Sequence, residues 1–370
     1  MARKSPRARK SAPGGSARAR ESRRRPKRGP VTQAPATGPV TLAQARAIAQ
    51  VQAPVTRGVK LALVPTSPAT VGLERRKLEL KQDLERRKRI REYTTTVAVM
   101  KKRGVKGLVP AAPRGGRALK AAPKPLQVLA EGDSWFEYPV PLFGGGVIPR
   151  LEKKLGVPIL NLAKAGDEVR FMLGVKERKL LIEQFVKGCP AGGPWDAMLF
   201  SGGGNDIVDN PMALWIRDFN PSVPPSALIH QARLDAVLAL VRAGYEDLIA
   251  LRDSLSPQTH LFLHGYDFAI PDGRGICNLG PWLKPTFDLR GFPSQAPALA
   301  VTKILLQRFA AMLQALATSN PRVTFINGQG TLAPQASSWH NELHPSKDGF
   351  KAFAALFHTT LKAAFPGRVL

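Results

Sequence analysis

The stretch that decides the fold is LQVLAEGDS at residues 126–134, where a short apolar run leads directly into Gly-Asp-Ser. An apolar run of this length that ends in turn residues is typical of a buried strand, so we expect a strand at 126–132 with a polar turn at its carboxyl end. Four similar runs follow, VPILNLA at 157–163, DAMLFSG at 196–202, HLFLHGY at 260–266 and VTFING at 323–328. The pattern predicts five strands.

Helical segments separate these strands, at about 146–155, 168–187, 229–254 and 298–318, and a last one runs over about 346–364. Strands joined through helices of this length need crossover connections and therefore pair in parallel. We predict an α/β fold over 126–370, a three-layer α/β/α arrangement with a mostly parallel, flavodoxin-like sheet. Ligands in such folds bind at the carboxyl ends of the strands.

The first third of the chain differs from the rest in charge. Residues 1–125 carry 32 Lys and Arg against 6 Asp and Glu (+26), and 126–370 carry 23 against 21 (+2), which together make the net charge of +28. Tyr93 is the only aromatic residue of this third. Without large apolar side chains, a segment cannot offset its ordering entropy by burial. We expect a basic, disordered tail at 1–72 and a linker at 96–125.

Residues 73–95 are the exception within this third, because they lack Gly and Pro and consist almost wholly of strong helix formers. They predict one charged helix that docks on the following domain. The tail is either a solubilising arm or an arm that contacts nucleic acid or an anionic surface, mainly through RESRRRPKR at 20–28. Such contact would be non-specific, since no aromatic residue is present there to stack on bases.

Membrane insertion and disulfide bonding are both disfavoured by the sequence. No run approaches the ~18 apolar residues of a membrane span, and the Arg-rich start lacks the apolar core of a secretory signal. We expect a soluble, cytoplasmic protein, although the start shares its Arg- and Ser-rich composition with transit peptides. Cys189 and Cys277 form no metal-ligand pattern and are expected to be two free buried thiols.

Polar residues follow the strands in a definite order. The four blocks are Gly132-Asp133-Ser134, Ala165-Gly166-Asp167 and Gly203-Gly204-Asn205-Asp206 after the first three strands, and Asn341-Glu342-Leu343-His344-Pro345 before the last helix. Ser, Gly, Asn and His in this order on successive loops resemble the SGNH (GDSL-type) hydrolases, a superfamily of serine esterases and lipases. The resemblance covers most of 126–370.

A serine hydroxyl needs a neighbouring base to act as a nucleophile. Among the six histidines, His344 lies in a loop directly before a helix and is the expected base for Ser134, with His340 as the fallback. The resemblance further implies an oxyanion hole made by the backbone N–H groups of Ser134 and Gly166 and the side-chain amide of Asn205. It implies no metal and no organic cofactor.

Two positions depart from the superfamily pattern. Trp135 stands where the name-giving motif has Leu, and Asn341 stands where an Asp usually precedes the histidine. We therefore expect a Ser134/His344 dyad that is oriented by Asn341 or by a backbone carbonyl, with Glu342 as an alternative acid. Asp133 and Asp206 are expected to hold their turns through backbone hydrogen bonds.

The substrate should be determined by two long connections, 207–229 and 266–297, which are rich in aromatic residues. They favour an ester with an apolar acyl or aryl part. The leading hypothesis is a serine esterase that works through an acyl-enzyme. The alternatives are a non-catalytic binding protein of the same fold tethered by its basic arm, and an acyltransferase or deacetylase acting on a sugar ester.

Overall fold

Parallel strands build a single sheet in the computed structural model, which describes residues 68–102, 125–138, 144–276 and 280–369. The strands are β1 (Val128–Gly132), β2 (Ile159–Asn161), β3 (Ala197–Ser201), β4 (His260–His264) and β5 (Val323–Ile326). Their order is β2-β1-β3-β4-β5, and every neighbouring pair is parallel. The sheet confirms the predicted α/β class and its flavodoxin-like strand order.

The helices cover both faces of this sheet. They are α1 (Pro68–Lys102), α2 (Val147–Leu155), α3 (Val169–Met172), α4 (Val175–Lys187), α5 (Gly204–Ile207), α6 (Gln231–Leu255), α7 (Lys284–Leu289), α8 (Gln295–Ser319) and α9 (Lys347–Ala364). Helix α2 packs on α9, whereas α6 packs on α3, α4 and α8. Right-handed crossovers to opposite edges of a sheet place these two groups on opposite faces, as the three-layer prediction requires.

Burial on both faces explains the composition of the strands. In β1 and β3 all the residues are buried, and they form near-continuous apolar runs rather than an alternating pattern. The observed strands lie inside the predicted runs. The predicted helix at 168–187 is divided into α3 and α4, and the short helices α5 and α7 were not predicted because one or two turns carry no periodic signal.

Helix α8 is the one described helix that is long and apolar enough to cross a membrane by length and composition. Of its most apolar stretch, 44% is buried, and Leu305, Phe309 and Leu313 all lie in the hydrophobic core. This is the pattern of a core helix that covers one face of the sheet. Cys189 is a buried thiol that lies 3.4 Å from the Tyr93 hydroxyl and forms no disulfide among the described residues, and Cys277 lies outside the described residues.

The charged helix α1 is longer than predicted at both ends. Its first turn begins with Pro68, a residue suited to that position, and its last turns contain the Thr and Val residues that lower helix propensity in the sequence. Val97 and Tyr93 are buried against the domain, so packing overrides this low propensity. The predicted tail up to residue 67 and the linker from residue 103 to 124 lie outside the described residues.

A buried carboxyl group lies under the helix. Glu131 in β1 is 1% exposed, one of its oxygens accepts a hydrogen bond from the N–H of Gly132, and the other has no partner among the described residues. Burial raises the pKa of Glu131 from 4.5 to about 7, and the Arg86 guanidinium opposes part of this shift. The folded protein therefore holds a proton that the unfolded chain releases at lower pH.

The stability of the protein is expected to fall as the pH rises from about 4.5 through about 7, since the ionised Glu131 is disfavoured only in the folded state. The loss of stability is on the order of a few kcal/mol. Glu131→Gln cannot ionise, so the variant should gain about that amount relative to wild type between pH 5 and pH 8. Denaturant unfolding of both proteins at the two pH values measures this difference, and equal pH dependence would contradict it.

Candidate active site

Ser134 is held at the carboxyl end of β1 by a tightly fixed turn. A Cβ on Gly132 would lie 2.7 Å from the carbonyl oxygen of Ser201, so only glycine fits where β1 passes β3. The Asp133 carboxylate accepts hydrogen bonds from the N–H of Trp135 at 2.9 Å, the Ser201 hydroxyl at 3.1 Å and the Tyr266 hydroxyl at 2.5 Å. Asp133 thus orients the turn, as expected.

His344 contacts this serine from the loop before α9. Its Nε2 lies 2.7 Å from the Ser134 Oγ, and its Nδ1 lies 2.9 Å from the Asn341 Oδ1. An amide oxygen can only accept, so Nδ1 carries the ring proton and Nε2 is free to accept from the serine. The loop ends in Ser346, whose hydroxyl caps α9 by accepting from the N–H of Gly349. The Ser134 hydroxyl can therefore donate its hydrogen bond to the Nε2 of this ring.

Asn341 is locked in one orientation. Its Oδ1 accepts from the backbone N–H groups of Leu343 and His344, each at 2.9 Å, in addition to the His344 ring. A flipped amide would direct its NH₂ group at those two N–H donors, which is unfavourable. The Nδ2 donates to the Tyr138 hydroxyl at 3.1 Å, and this hydroxyl lies 2.5 Å from the His340 Nδ1. Asn341 thus takes the orienting position with a neutral oxygen.

The structure places the two fallback residues elsewhere. Both carboxylate oxygens of Glu342 accept hydrogen bonds from backbone N–H groups of one connection, namely those of Gly273, Trp282, Leu283 and Lys284. Glu342 is fully buried and anchors that connection next to the site, so it does not orient the His344 ring. His340 pairs with Tyr138, and it is His344 that contacts the serine.

The three residues predicted to form an oxyanion hole, Ser134, Gly166 and Asn205, each retain an N–H group with no acceptor among the described residues. Among the hydrogen bonds of the described residues, none uses the backbone N–H of Ser134 or of Gly166. Gly166 has φ +86°, and nothing lies within 4 Å of a Cβ built on it, so its peptide borders open space. The Asn205 amide donates one hydrogen to the carbonyl of Asp167 at 2.9 Å, and its second hydrogen has no acceptor among the described residues.

Two of these residues, Gly166 and Asn205, belong to segments that are linked to each other. The Asp206 carboxylate accepts from the N–H of Val169 at 2.9 Å, which ties the start of α5 to the start of α3. Burial raises the pKa of Asp206 to about 6. Asn205 lines the same cleft as Ser134, whereas Gly166 does not. Gly166 is linked to the cleft because the Asn205 amide donates to the carbonyl of Asp167, the next residue after Gly166.

The cleft above Ser134 has a volume of about 400 Å³, including its opening to solvent. Its lining contains six residues with apolar surface, Trp135, Val208, Tyr266, Ala269, Leu306 and Leu343, beside the polar residues Asp133, Ser134, Asn205, Asp267 and His344 and the backbone of Gly204. The two long connections contribute only part of this wall. Three of their seven aromatic residues pack on one another instead, in the Phe219–Phe292 and Phe287–Phe292 pairs.

Some of the supporting residues could not be found from the sequence. Trp135 packs edge-on against Phe353, with ring centroids 4.8 Å apart, and its indole N–H donates to the carbonyl of Leu343 at 3.1 Å. Trp135 therefore binds the histidine loop as well as filling space. Tyr138 and Tyr266 stabilise Asn341 and Asp133, but aromatic residues are ordinarily core residues and give no motif.

Asn341→Asp is expected to leave turnover of an ester unchanged or to raise it. A carboxylate oxygen would accept from the same three N–H groups and would add negative charge beside the imidazolium, while the Tyr138 hydroxyl can rotate to donate to the second oxygen. The measurement is kcat across pH for both proteins. Complete loss of activity in a folded variant would show that the amide is needed as a donor.

Comparison with protein-family models finds no match, and comparison with curated protein sequences finds none either. Solved structures with similarity include a lipase from a goat rumen metagenome, at 19% identity and TM-score 0.41 over 63% of this chain and 96% of that chain. An extracellular lipase from Streptomyces rimosus matches at 17% identity and TM-score 0.41 over 63% and 99%. A carbohydrate acetylesterase from Sinorhizobium meliloti matches at 14% identity and TM-score 0.39 over 65% and 100%. At this distance, statements about function depend on the residues of this chain.

Proposed function

We propose that this protein is a serine hydrolase of the SGNH type that cleaves a carboxylic ester through an acyl-enzyme. The observation that carries the proposal is the 2.7 Å contact between the Ser134 Oγ and the His344 Nε2, with the opposite ring nitrogen bound to Asn341. A hydroxyl hydrogen-bonded to a neutral, oriented imidazole is the arrangement that activates serine.

In the proposed reaction the Ser134 Oγ attacks the ester carbonyl carbon while His344 takes the hydroxyl proton. The carbonyl oxygen becomes an oxyanion that receives hydrogen bonds from the N–H groups of Ser134, Gly166 and Asn205. The C–O bond to the alcohol then breaks, and His344 returns the proton to the departing oxygen. Water, deprotonated by His344, attacks the acyl-enzyme, and the acid and the free serine are released.

Asn341 supplies two of the three contributions that the acid of a triad makes, the orientation and the tautomer of the histidine ring, but not the negative charge. It holds the His344 ring in the orientation and tautomer that the proton transfer needs, through the contact at 2.9 Å. A neutral amide does not add the electrostatic attraction that a carboxylate gives to the imidazolium. The proposed enzyme therefore depends on hydrogen-bond geometry where the usual triad also uses charge.

The apolar lining of the cleft favours an ester with an apolar acyl or aryl part. Val208, Ala269 and Leu306 are positioned to cover such a group beside Ser134. The same residues would serve acyl transfer to a sugar hydroxyl, in which an alcohol replaces water in the second step. The preformed contact between serine and histidine favours catalysis over a purely binding role for this fold.

The test is a panel of p-nitrophenyl esters from acetyl to decanoyl assayed with the full-length chain. Turnover above the buffer rate, with a preference along the acyl series, is the expected result. Addition of a sugar alcohol separates the two outcomes, because a transferase forms an acylated sugar while a hydrolase forms only free acid. An absence of turnover with every ester and acceptor would contradict the proposal and favour a binding protein.

A further inference from the structure

The peptide group that joins Ala165 to Gly166 is held from outside the α/β domain. The Gln82 side chain in α1 donates its Nε2–H to the carbonyl oxygen of Ala165 at 3.1 Å. The N–H of this same peptide group belongs to Gly166, one of the proposed oxyanion donors. Since a trans peptide is planar with C=O and N–H pointing in opposite directions, a bond that fixes the carbonyl also aims the N–H.

Gln82 forms one of a row of hydrogen bonds between side chains of α1 and the open edge of the sheet. Strand β2 is an edge strand, and outward carbonyls recur at every second residue along its length and the segment after it. Arg89 donates to the carbonyls of Asn161 at 3.0 Å and Ala163 at 2.6 Å, and Gln82 takes the next one, that of Ala165. Side chains of α1 thus replace the neighbouring strand that the edge lacks.

Buried charges hold the helix in this register. Arg86, 3% exposed, forms an ion pair with Glu177, and Glu177 also accepts from the Lys164 Nζ at 3.1 Å. Lys164 lies 3.3 Å from Asp167 as well, so residues on both sides of Gly166 are linked to this cluster. Gln82 and Arg86 are one helical turn apart and face the same side of α1.

We infer that Gln82 is a positioning residue for the oxyanion hole. Helix α1 therefore contributes to the active site in addition to packing on the domain. This inference rests on the proposed function. The Gln82 bond aims the Gly166 N–H and also polarises its peptide group, which strengthens the N–H as a donor. Because nothing lies within 4 Å of a Cβ built on Gly166, this glycine has no side-chain packing to hold its peptide in place.

Gln82→Met in the full-length chain keeps the shape of the side chain and removes the donor. We expect kcat for the best p-nitrophenyl ester to fall about tenfold, the effect of one hydrogen bond, with KM unchanged. The inhibition constant of a trifluoromethyl ketone, which forms a tetrahedral oxyanion on the serine, should rise by the same factor. Arg87→Met, an exposed position on the same helix, is the matched control and should change neither value.

Gln82→Lys supplies a different donor of similar length and should restore kcat to within about twofold of wild type, as one hydrogen bond is regained. Wild-type rates in Gln82→Met, a lowered kcat with unchanged ketone inhibition, or failure of Gln82→Lys to restore activity would each overturn the inference. If wild type itself shows no turnover, the proposed function fails. If wild type turns over and is insensitive to Gln82, only the role of α1 fails.

Discussion

Ser134→Ala is expected to lower kcat/KM for p-nitrophenyl esters by a factor of about 10⁴ to 10⁶, since the nucleophile is removed and only binding and oxyanion stabilisation remain. The change deletes one oxygen from a side chain that is 9% exposed, so the fold should be retained. Steady-state kinetics with matched melting curves measure the effect. Ser226→Ala, an exposed serine before α6, is the control and should behave as wild type.

Substitution of His344 tests the same prediction from the side of the base. His344→Ala should cost about as much as Ser134→Ala, and the double variant should lose little more, because a nucleophile and its base act as a unit. Additive losses would mean that the 2.7 Å contact is not used in the reaction. Full activity in Ser134→Ala would mean that hydrolysis takes place elsewhere in the protein.

Asn205→Ala carries the largest expected effect outside the serine–histidine pair, a fall in kcat of about 10² to 10³ with little change in KM. In the proposed mechanism its amide donates to an oxygen that gains negative charge only in the transition state, so the loss should fall on turnover. The side chain also donates to the carbonyl of Asp167 at 2.9 Å, and loss of that bond is expected to reduce the free energy of unfolding by about 1 kcal/mol.

These two effects of Asn205 can be separated by measuring them on the same protein preparations. Kinetics are compared at a temperature at which both wild type and variant are fully folded by circular dichroism. Asn205→Asp keeps the size of the side chain but presents negative charge to the oxyanion, and its kcat should fall at least as far. A decrease of less than tenfold in either folded variant would remove Asn205 from the proposed oxyanion hole.

The fold could be predicted well because its signals are local. Each strand is a short apolar run, and Ser134, Gly166 and Asn205 lie in the segments after β1, β2 and β3, whose carboxyl ends meet at one edge of the sheet. His344 could be predicted for a similar reason, because the loop before the last helix lies at the same edge of the sheet. Local pattern and topology brought the four segments into one short list, and the resemblance to the SGNH hydrolases selected these residues within them.

The supporting contacts could not be predicted because they join distant parts of the sequence. Tyr138 and Asn341 are separated by 203 positions, and Tyr266 and Asp133 by 133. The bond from Gln82 to Ala165 spans 83 positions and comes from a segment whose composition indicates only a charged helix. Such partners are set by packing, and a single sequence contains no periodicity that would indicate them.

Asn341 shows the difference between what the sequence predicts and what only the packed structure determines. The sequence leaves Asn341, a backbone carbonyl and Glu342 open, because an extended loop does not determine which side chain faces the ring. In the structure Asn341 accepts from the backbone N–H of His344 itself, which brings its oxygen to the ring, while Glu342 satisfies four N–H groups of the 273–284 segment. Backbone hydrogen bonding, not charge, determines which residue meets the histidine.

The most direct test of the central claim is to locate a fluorophosphonate adduct by peptide mass spectrometry. The probe loses fluoride when a serine oxygen activated by a base attacks its phosphorus, so labelling reports the nucleophile itself. We expect one adduct, on Ser134 of the full-length protein, that is absent from Ser134→Ala and forms far more slowly in His344→Ala. No adduct, or an adduct on a different serine, would contradict the account.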